Sequence, residues 1–212
     1  MRRVTERIDC PALASRLVAL ARGEARCFFA IAGAPGSGKS TLAEWLMDEV
    51  EAAAPGGAAI LPMDGFHYDD LYLAPRGLLP RKGAPETFDT GGFEAVLRRL
   101  AEGSHPVAVP VFDRRLEIAR AGARVIPPET RLIIVEGNYL LLDHPDWAAL
   151  RHVFDLTLAL DVPLAALEAR LLARWQTLGP VEAARKVEAN DLPNARLTIT
   201  ESVAPDWILD DP

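Results

Sequence analysis

The stretch IAGAPGSGKSTLAEWL, residues 31 to 46, joins a short apolar run to a glycine-rich turn, a lysine, two hydroxyls and leucines at helical spacing. Gly33, then four residues, then Gly38, Lys39 and Ser40 fit the phosphate-loop pattern G-x-x-x-x-G-K-[ST] without a mismatch. Glycines let backbone N–H groups approach phosphate oxygens closely, and the N-terminus of the following helix adds a favourable dipole. Lys39 brings a point charge to the β- and γ-phosphates, and the Ser40 hydroxyl is an oxygen ligand of the kind Mg²⁺ prefers. The expected nucleotide cradle is therefore Gly33, Ala34, Pro35, Gly36, Ser37, Gly38, Lys39, Ser40 and Thr41.

Outward from this loop, the wholly apolar CFFAIA that leads in reads as a buried strand, and Leu42, Leu46, Met47 and Val50 mark the helix that leads out. Leu13, Leu17, Leu20 and Ala21 mark an earlier helix. PGG at 55 to 57 stops the second helix before another apolar run, AAILPM. A helix over GFEAVLRRLAEG is predicted to be capped by Thr90 and stopped by Gly103, and PVAVPVF, RLIIVEG, VFDLTLALD and DWILD read as further strands. LAALEARLLARW and PVEAARKVEAN read as helices. Buried strands alternating with helices predict an α/β fold of the phosphate-loop NTPase type, an open, mostly parallel five-stranded sheet with helices on both faces. Residues 1–212 are read as one domain. The segment from Asp64 to Thr90, with Pro75, Pro80 and Pro85 and three glycines, is a long loop of the kind that carries function.

Half of the 212 residues are apolar, and the net charge is −7 with no dense Lys/Arg block, which argues against a nucleic-acid partner and for a small-molecule substrate. The apolar residues of the first 26 positions are interrupted at Arg16 and Arg22, so no secretory leader is expected. No apolar run approaches the ~18 residues of a membrane-spanning helix. Cys10 and Cys27 make no disulfide or metal framework, and His105, His144 and His152 lack metal-ligand spacing. A cytoplasmic protein without a membrane partner is expected, with a homodimer left open.

Two strand ends supply acids. RLIIVEGNYL ends an apolar strand at Glu136, on the carboxyl edge where ligands of open α/β sheets bind, so Glu136 could hold Mg²⁺ with Ser40, or stand exposed to solvent. In LPMDGFHYDD a second strand ends at Asp64, on the same edge, where a carboxylate could accept the proton of an attacking hydroxyl. Asp69 and Asp70 read as helix caps or solvated charges. The chain has neither an Asn-Lys-x-Asp guanine reader nor an Asp-x-x-Gly after the Walker strand, which weighs against a GTPase switch.

In order and spacing, GAPGSGKST, MDGFHY, RKGAPETFD, PVFDR and IIVEGNYLL resemble the phosphoribulokinase, uridine kinase and bacterial pantothenate kinase superfamily, over residues 26 to about 175. MDGFHY and RKGAPETFD look most like the pantothenate kinase branch, and the whole is similar to short bacterial kinases assigned to fructose transport. The resemblance implies that Asp64 is the catalytic base, Glu136 the acidic Walker residue, and the helix carrying Arg170 and Arg174 a small lid. Those arginines are spaced i, i+4 on one face, and either could neutralise the migrating phosphoryl group, Arg174 favoured by position, the alternative being a solvated face. Asn194 falls in the region that the family places near adenine, with a turn role equally open. Arg114 stands where uridine kinases differ.

Around the acceptor, Arg81, Lys82 and Arg114, which pull toward an anionic group, with Phe66, His67, Tyr68 and Phe88 could grip polar or anionic groups and stack on a ring, although Lys82 could be merely exposed and Phe88 merely core. The expectation is an ATP- and Mg²⁺-dependent kinase acting on a hydroxyl of a small metabolite. A fructose-like sugar leads, ahead of pantothenate-like acids and nucleosides. The rivals are an ATPase without an acceptor and a nucleotide-binding regulator.

Overall fold

The computed structural model describes residues 4–211; Met1 to Arg3, which open the stretch read above for a leader, lie outside them. In chain order the elements are β1 (Glu6–Arg7), α1 (Cys10–Ala21), β2 (Cys27–Ala32), α2 (Lys39–Ala53), β3 (Ala58–Pro62), α3 (Asp70–Leu73), α4 (Thr90–Glu102), β4 (Val107–Asp113), β5 (Ile118–Ile126), β6 (Leu132–Gly137), α5 (Pro145–Ala148), β7 (Leu156–Asp161), α6 (Leu164–Arg174), α7 (Pro180–Lys186), α8 (Leu192–Glu201) and β8 (Trp207–Asp210).

Six strands form one parallel sheet in the order β1-β8-β7-β2-β6-β3. Its central strands are covered on both faces, and their side chains alternate between two cores. Cys27, Phe29 and Ile31 of β2, with Leu132 and Ile134 of β6, pack on Leu13 and Leu17 of α1 and on Leu42, Leu46 and Val50 of α2. Phe28, Ala30 and Ala32, with Ile133 and Val135, pack on Phe93, Leu97 and Leu100 of α4 and on Trp147. A period of two, apolar on both faces, is why these strands read as unbroken apolar runs. Truncating a fully buried leucine such as Leu46 would cost about 2–5 kcal/mol.

The strand count departs from the expected five in three places. The additional β1 is only two residues long and completes the edge by pairing Glu6 with Trp207 and Arg7 with Ile208. PVAVPVF does not join the parallel sheet; β4 pairs antiparallel with β5 in a separate hairpin, with an irregularity between Val109 and Val111. Pro110 has no N–H to donate at that point, so the strand suits a two-stranded ribbon rather than a sheet interior. β5 escaped notice because Arg120, Gly122 and Arg124 interrupt any apolar pattern on its largely exposed face.

Two caps and joints also differ from expectation. α4 is capped by Asp89, whose Oδ1 accepts from the Gly92 N–H at 2.8 Å, and Thr90 is its first helical residue. The helix read over residues 180–190 does not end at Asn190: after Lys186 it widens over Val187–Asp191 into a π-turn that runs directly into α8.

Candidate active site

The carboxyl edge of the sheet gathers the motif residues. After β2 the chain turns through Gly38, whose φ of 92° is a left-handed conformation suited to glycine, and α2 starts at Lys39. No side chain caps this helix, so the N–H groups of its first turn point outward as donors for an anion. Lys39 is 7% exposed, and its Nζ donates to the Ala34 carbonyl at 3.0 Å. Burial pushes its pKa down to about 8, against the attraction of Glu136 and Asp64.

Glu136, at the end of β6 between β2 and β3, is buried, and its Oε1 accepts from Ser40 Oγ at 3.2 Å. Burial, and then repulsion from Asp64, push its pKa up to about 7, with Lys39 and the Ser40 bond only partly offsetting this. A buried carboxylate short of positive charge, with a hydroxyl beside it, is a donor set that fits Mg²⁺.

Asp64 follows β3 in a tight turn that lies under the hairpin. A Cβ at Gly65 would sit 2.5 Å from the Pro110 carbonyl oxygen, so only glycine lets β4 lie this close. The Asp64 carboxylate pairs with Arg114, Nη2 to Oδ2 at 2.5 Å. Burial raises its pKa, but His67 when protonated, with Arg114, Lys39 and Arg174, outweighs that and holds it below the usual carboxylate range. The direct Arg114 pair secures that direction. His67 Nδ1 lies 2.7 Å from the Asp64 carbonyl oxygen, which can only accept, so Nδ1 carries the proton. The ring lies between Phe88 and Phe112, and burial draws it toward neutral imidazole.

A cavity of about 170 Å³ unites Lys39, Ser40, Thr41, Asp64, His67, Lys82, Arg114, Glu136, Arg174 and Asn194. Four other expected acceptor residues lie elsewhere. Phe66 packs on Phe93 in the core, Phe88 is core against Tyr139 and Trp147, and Tyr68 stacks on Tyr72. Arg81 pairs with Glu86 beside a different cavity. Asp69 caps α3 as expected, whereas Asp70 pairs with Lys82. A second cavity of about 550 Å³ opens on the other side of the phosphate loop, between Thr41, Leu42, Trp45, Cys10, Arg170 and Arg174. Of the two lid arginines, Arg174 lines both cavities and Arg170 only the second, whereas Asn194 lines the first, buried in α8, where its Nδ2 donates to Asn190 Oδ1.

Reading the sequence missed Phe112, Glu117, Asn138, Trp175, Lys186 and Asp191, which also line the first cavity. Asn138, two residues after Glu136, and Phe112, inside PVFDR, were within reach of the motifs already in hand. Glu117, Trp175 and Lys186 carry no sequence signal, because hairpin and lid folding alone bring them in.

A parallel sheet with a glycine-lysine-hydroxyl loop, a strand-end acid beside that hydroxyl and a second acid facing the loop defines a phosphate-loop kinase site. No protein-family model matches the chain. A candidate uridine kinase of Schizosaccharomyces pombe is 31% identical over 218 residues, spanning 95% of this chain and 93% of that protein. The solved structure of a candidate fructose transport system kinase from Silicibacter sp. TM1040 is 44% identical, with a TM-score of 0.86 over 95% of this chain and 98% of that one. YFH7 of Saccharomyces cerevisiae, described as a P-loop kinase with a circular permutation, is 20% identical in structural alignment at a TM-score of 0.81, over 96% of this chain and 98% of that one. The chain belongs to the phosphoribulokinase and uridine kinase-like superfamily of P-loop kinases, and it is a small-molecule kinase. Among the described residues no helix is long and apolar enough to cross a membrane.

Proposed function

We propose that the protein transfers the γ-phosphoryl group of ATP to a hydroxyl of a neutral, polyhydroxylated metabolite, with a fructose-like sugar as the leading acceptor. Relatives described as ATP-dependent kinases support ATP as the donor. In this reading the first-turn N–H groups of α2 and Lys39 bind the phosphates, Arg174 neutralises the migrating group, and Arg170 with Trp45 and Thr41 holds the base in the second cavity. Ser40 and Glu136 would hold Mg²⁺, which supplies charge neutralisation to the polyphosphate when bound. Asp64 accepts the hydroxyl proton.

One observation carries the choice of acceptor: the cations expected to attract an anion are already neutralised by the protein. Arg81 pairs with Glu86, Arg114 with Asp64, and Lys82 Nζ donates to Asp70 Oδ1 at 2.6 Å and to the Glu117 carbonyl at 2.7 Å. An acidic acceptor such as pantothenate would have to displace these partners and leave carboxylates unpaired. Asn138 and His67 remain for hydroxyl groups, and the relative from Silicibacter carries a fructose description. The second reading is a nucleoside, favoured by the faces of Phe112 and Trp175 in the cavity and by the uridine kinase description of the yeast relative.

The test is a competition with ATP, Mg²⁺ and equimolar fructose, pantothenate and uridine, the products identified by mass. A phosphorylated sugar is expected, and exclusive phosphorylation of uridine or pantothenate overturns the proposal.

A further inference from the structure

The ion pair on Asp64 is more than a local neutralisation. Arg114 opens the turn of the β4–β5 hairpin, and that turn is built by the residue before it: Asp113 Oδ1 accepts from the Arg115 and Leu116 N–H groups at 3.1 and 3.2 Å, while its Oδ2 faces Arg120. The close approach of Pro110 to Gly65 fixes the hairpin against the Asp64 loop. The two segments therefore meet at Gly65 and Pro110 and again at the Asp64–Arg114 pair, and PVFDR resolves into a turn-former, Asp113, followed by the residue that the turn presents.

The contact is one-sided. Arg114 Nη2 takes Oδ2 only, and among the described residues no protein group bonds Oδ1. The Arg114 side chain is 57% exposed and that of Asp64 21%, so the guanidinium covers the carboxylate from the solvent side. Arg114 also lines a third cavity, of about 180 Å³, beside Ser40, Asp64 and Glu136, so it stands between the two spaces from which a nucleophile could reach the metal side.

We propose that Arg114 is a positioning residue of the base: by holding Oδ2 it aims Oδ1 at the acceptor hydroxyl and keeps Asp64 from activating water. This rests on the reading of Asp64 as the base. In productive transfer the acceptor oxygen bonds the γ-phosphorus, the bond from that phosphorus to the β–γ bridging oxygen breaks, ADP leaves, and the hydroxyl proton passes to Oδ1. In the wasteful reaction water replaces the acceptor and inorganic phosphate forms. A carboxylate with both oxygens free turns to meet either nucleophile. One held by a guanidinium serves only the direction left open, and it is a weaker base for a mobile water.

The experiment needs no knowledge of the acceptor. Hydrolysis of ATP with magnesium chloride and no acceptor is followed between pH 3 and 8 for the wild type, Arg114→Ala, Arg114→Lys, Asp64→Asn and Arg114→Ala/Asp64→Asn. Arg114→Ala should hydrolyse at least about fivefold faster, with its acid limb moved up by about one pH unit as Asp64 loses its cation. Arg114→Lys should stay near the wild type, and adding Asp64→Asn should abolish the gain. If Arg114→Ala, folded by thermal melt, shows no gain and no moved limb while Asp64→Asn still lowers the basal rate, the proposal falls alone. A gain that survives in the double variant overturns both the proposal and the base assignment beneath it.

Discussion

The two ends of the site are built in opposite ways. The phosphate cradle is one continuous piece of chain, β2, loop and α2, and its acid, Glu136, comes from β6, which pairs directly with β2. The acceptor end is assembled from three segments: the loop after Asp64, the tip of the β4–β5 hairpin, and the lid with its π-turn. Only tertiary bonds hold them together. Asn190 Nδ2 donates to the Lys82 carbonyl at 2.9 Å, Tyr139 Oη to the Gly83 carbonyl at 2.6 Å, and Trp175 Nε1 to Asp191 Oδ2 at 2.7 Å. The π-turn thus lets adjacent residues reach opposite ways, Asn190 to the acceptor loop and Asp191 to the lid. Such widened turns recur at functional sites. The phosphate-binding end is fixed by local sequence and the selective end by the fold, so they should respond differently to mutation.

The largest effect belongs to the local end. Lys39→Ala should reduce turnover by about a thousandfold or more, several kcal/mol of transition-state stabilisation, without unfolding the protein. Steady-state kinetics beside a thermal melt checks this, and near-normal turnover in the folded variant would contradict the cradle.

An intermediate effect belongs to the assembled end. Asn190→Ala removes the bond to the Lys82 carbonyl and should raise the acceptor KM about tenfold, in keeping with the ~1–2 kcal/mol of a buried hydrogen bond, while the KM for ATP stays within about twofold. Equal changes in both constants would mean that the two ends are not separable.

The smallest effect is on stability. Glu136 in the ligand-free fold has a pKa of about 7, above the ordinary 4.5, so between those values the native state holds more protons than the unfolded one. That contribution is full below about pH 4.5 and is lost as pH rises through 7. The ligand-free protein should therefore lose about 1–3 kcal/mol between pH 5 and 7.5, and Glu136→Gln should remove that slope. Urea titrations across this range measure it, and an unchanged slope in the variant would assign the loss to another group.

The same contrast governs what the sequence made legible. The phosphate loop, α2 and the two strand-end acids could be read because each depends on neighbours within a few residues. At the acceptor end the reading found His67, Lys82 and Arg114 but misjudged what they face. Arg81, next to Lys82, turns away to Glu86, and the charge of Lys82 is already matched by Asp70 twelve residues earlier. Phe66 and Phe88 were drawn to the site by their motifs, yet the second core claims them. Thr90 gave way to Asp89 as the cap of α4 because a carboxylate one residue earlier reaches the Gly92 N–H. Nothing in the periodicity marks a π-turn, so the helix read over residues 180–190 stops at Asn190, and its widening and continuation into α8 went unread.

The account stands on Asp64 serving the acceptor rather than the nucleotide, which one calorimetric and kinetic comparison addresses directly. ATP is titrated into wild type and Asp64→Asn in the presence of Mg²⁺, and the transfer rate to the acceptor found in the competition assay is measured on the same preparations. The account predicts ATP affinity within a few-fold of the wild type and a transfer rate lower by roughly 10²- to 10⁴-fold. Lost ATP binding with a retained transfer rate would make Asp64 a nucleotide or metal residue and would contradict it.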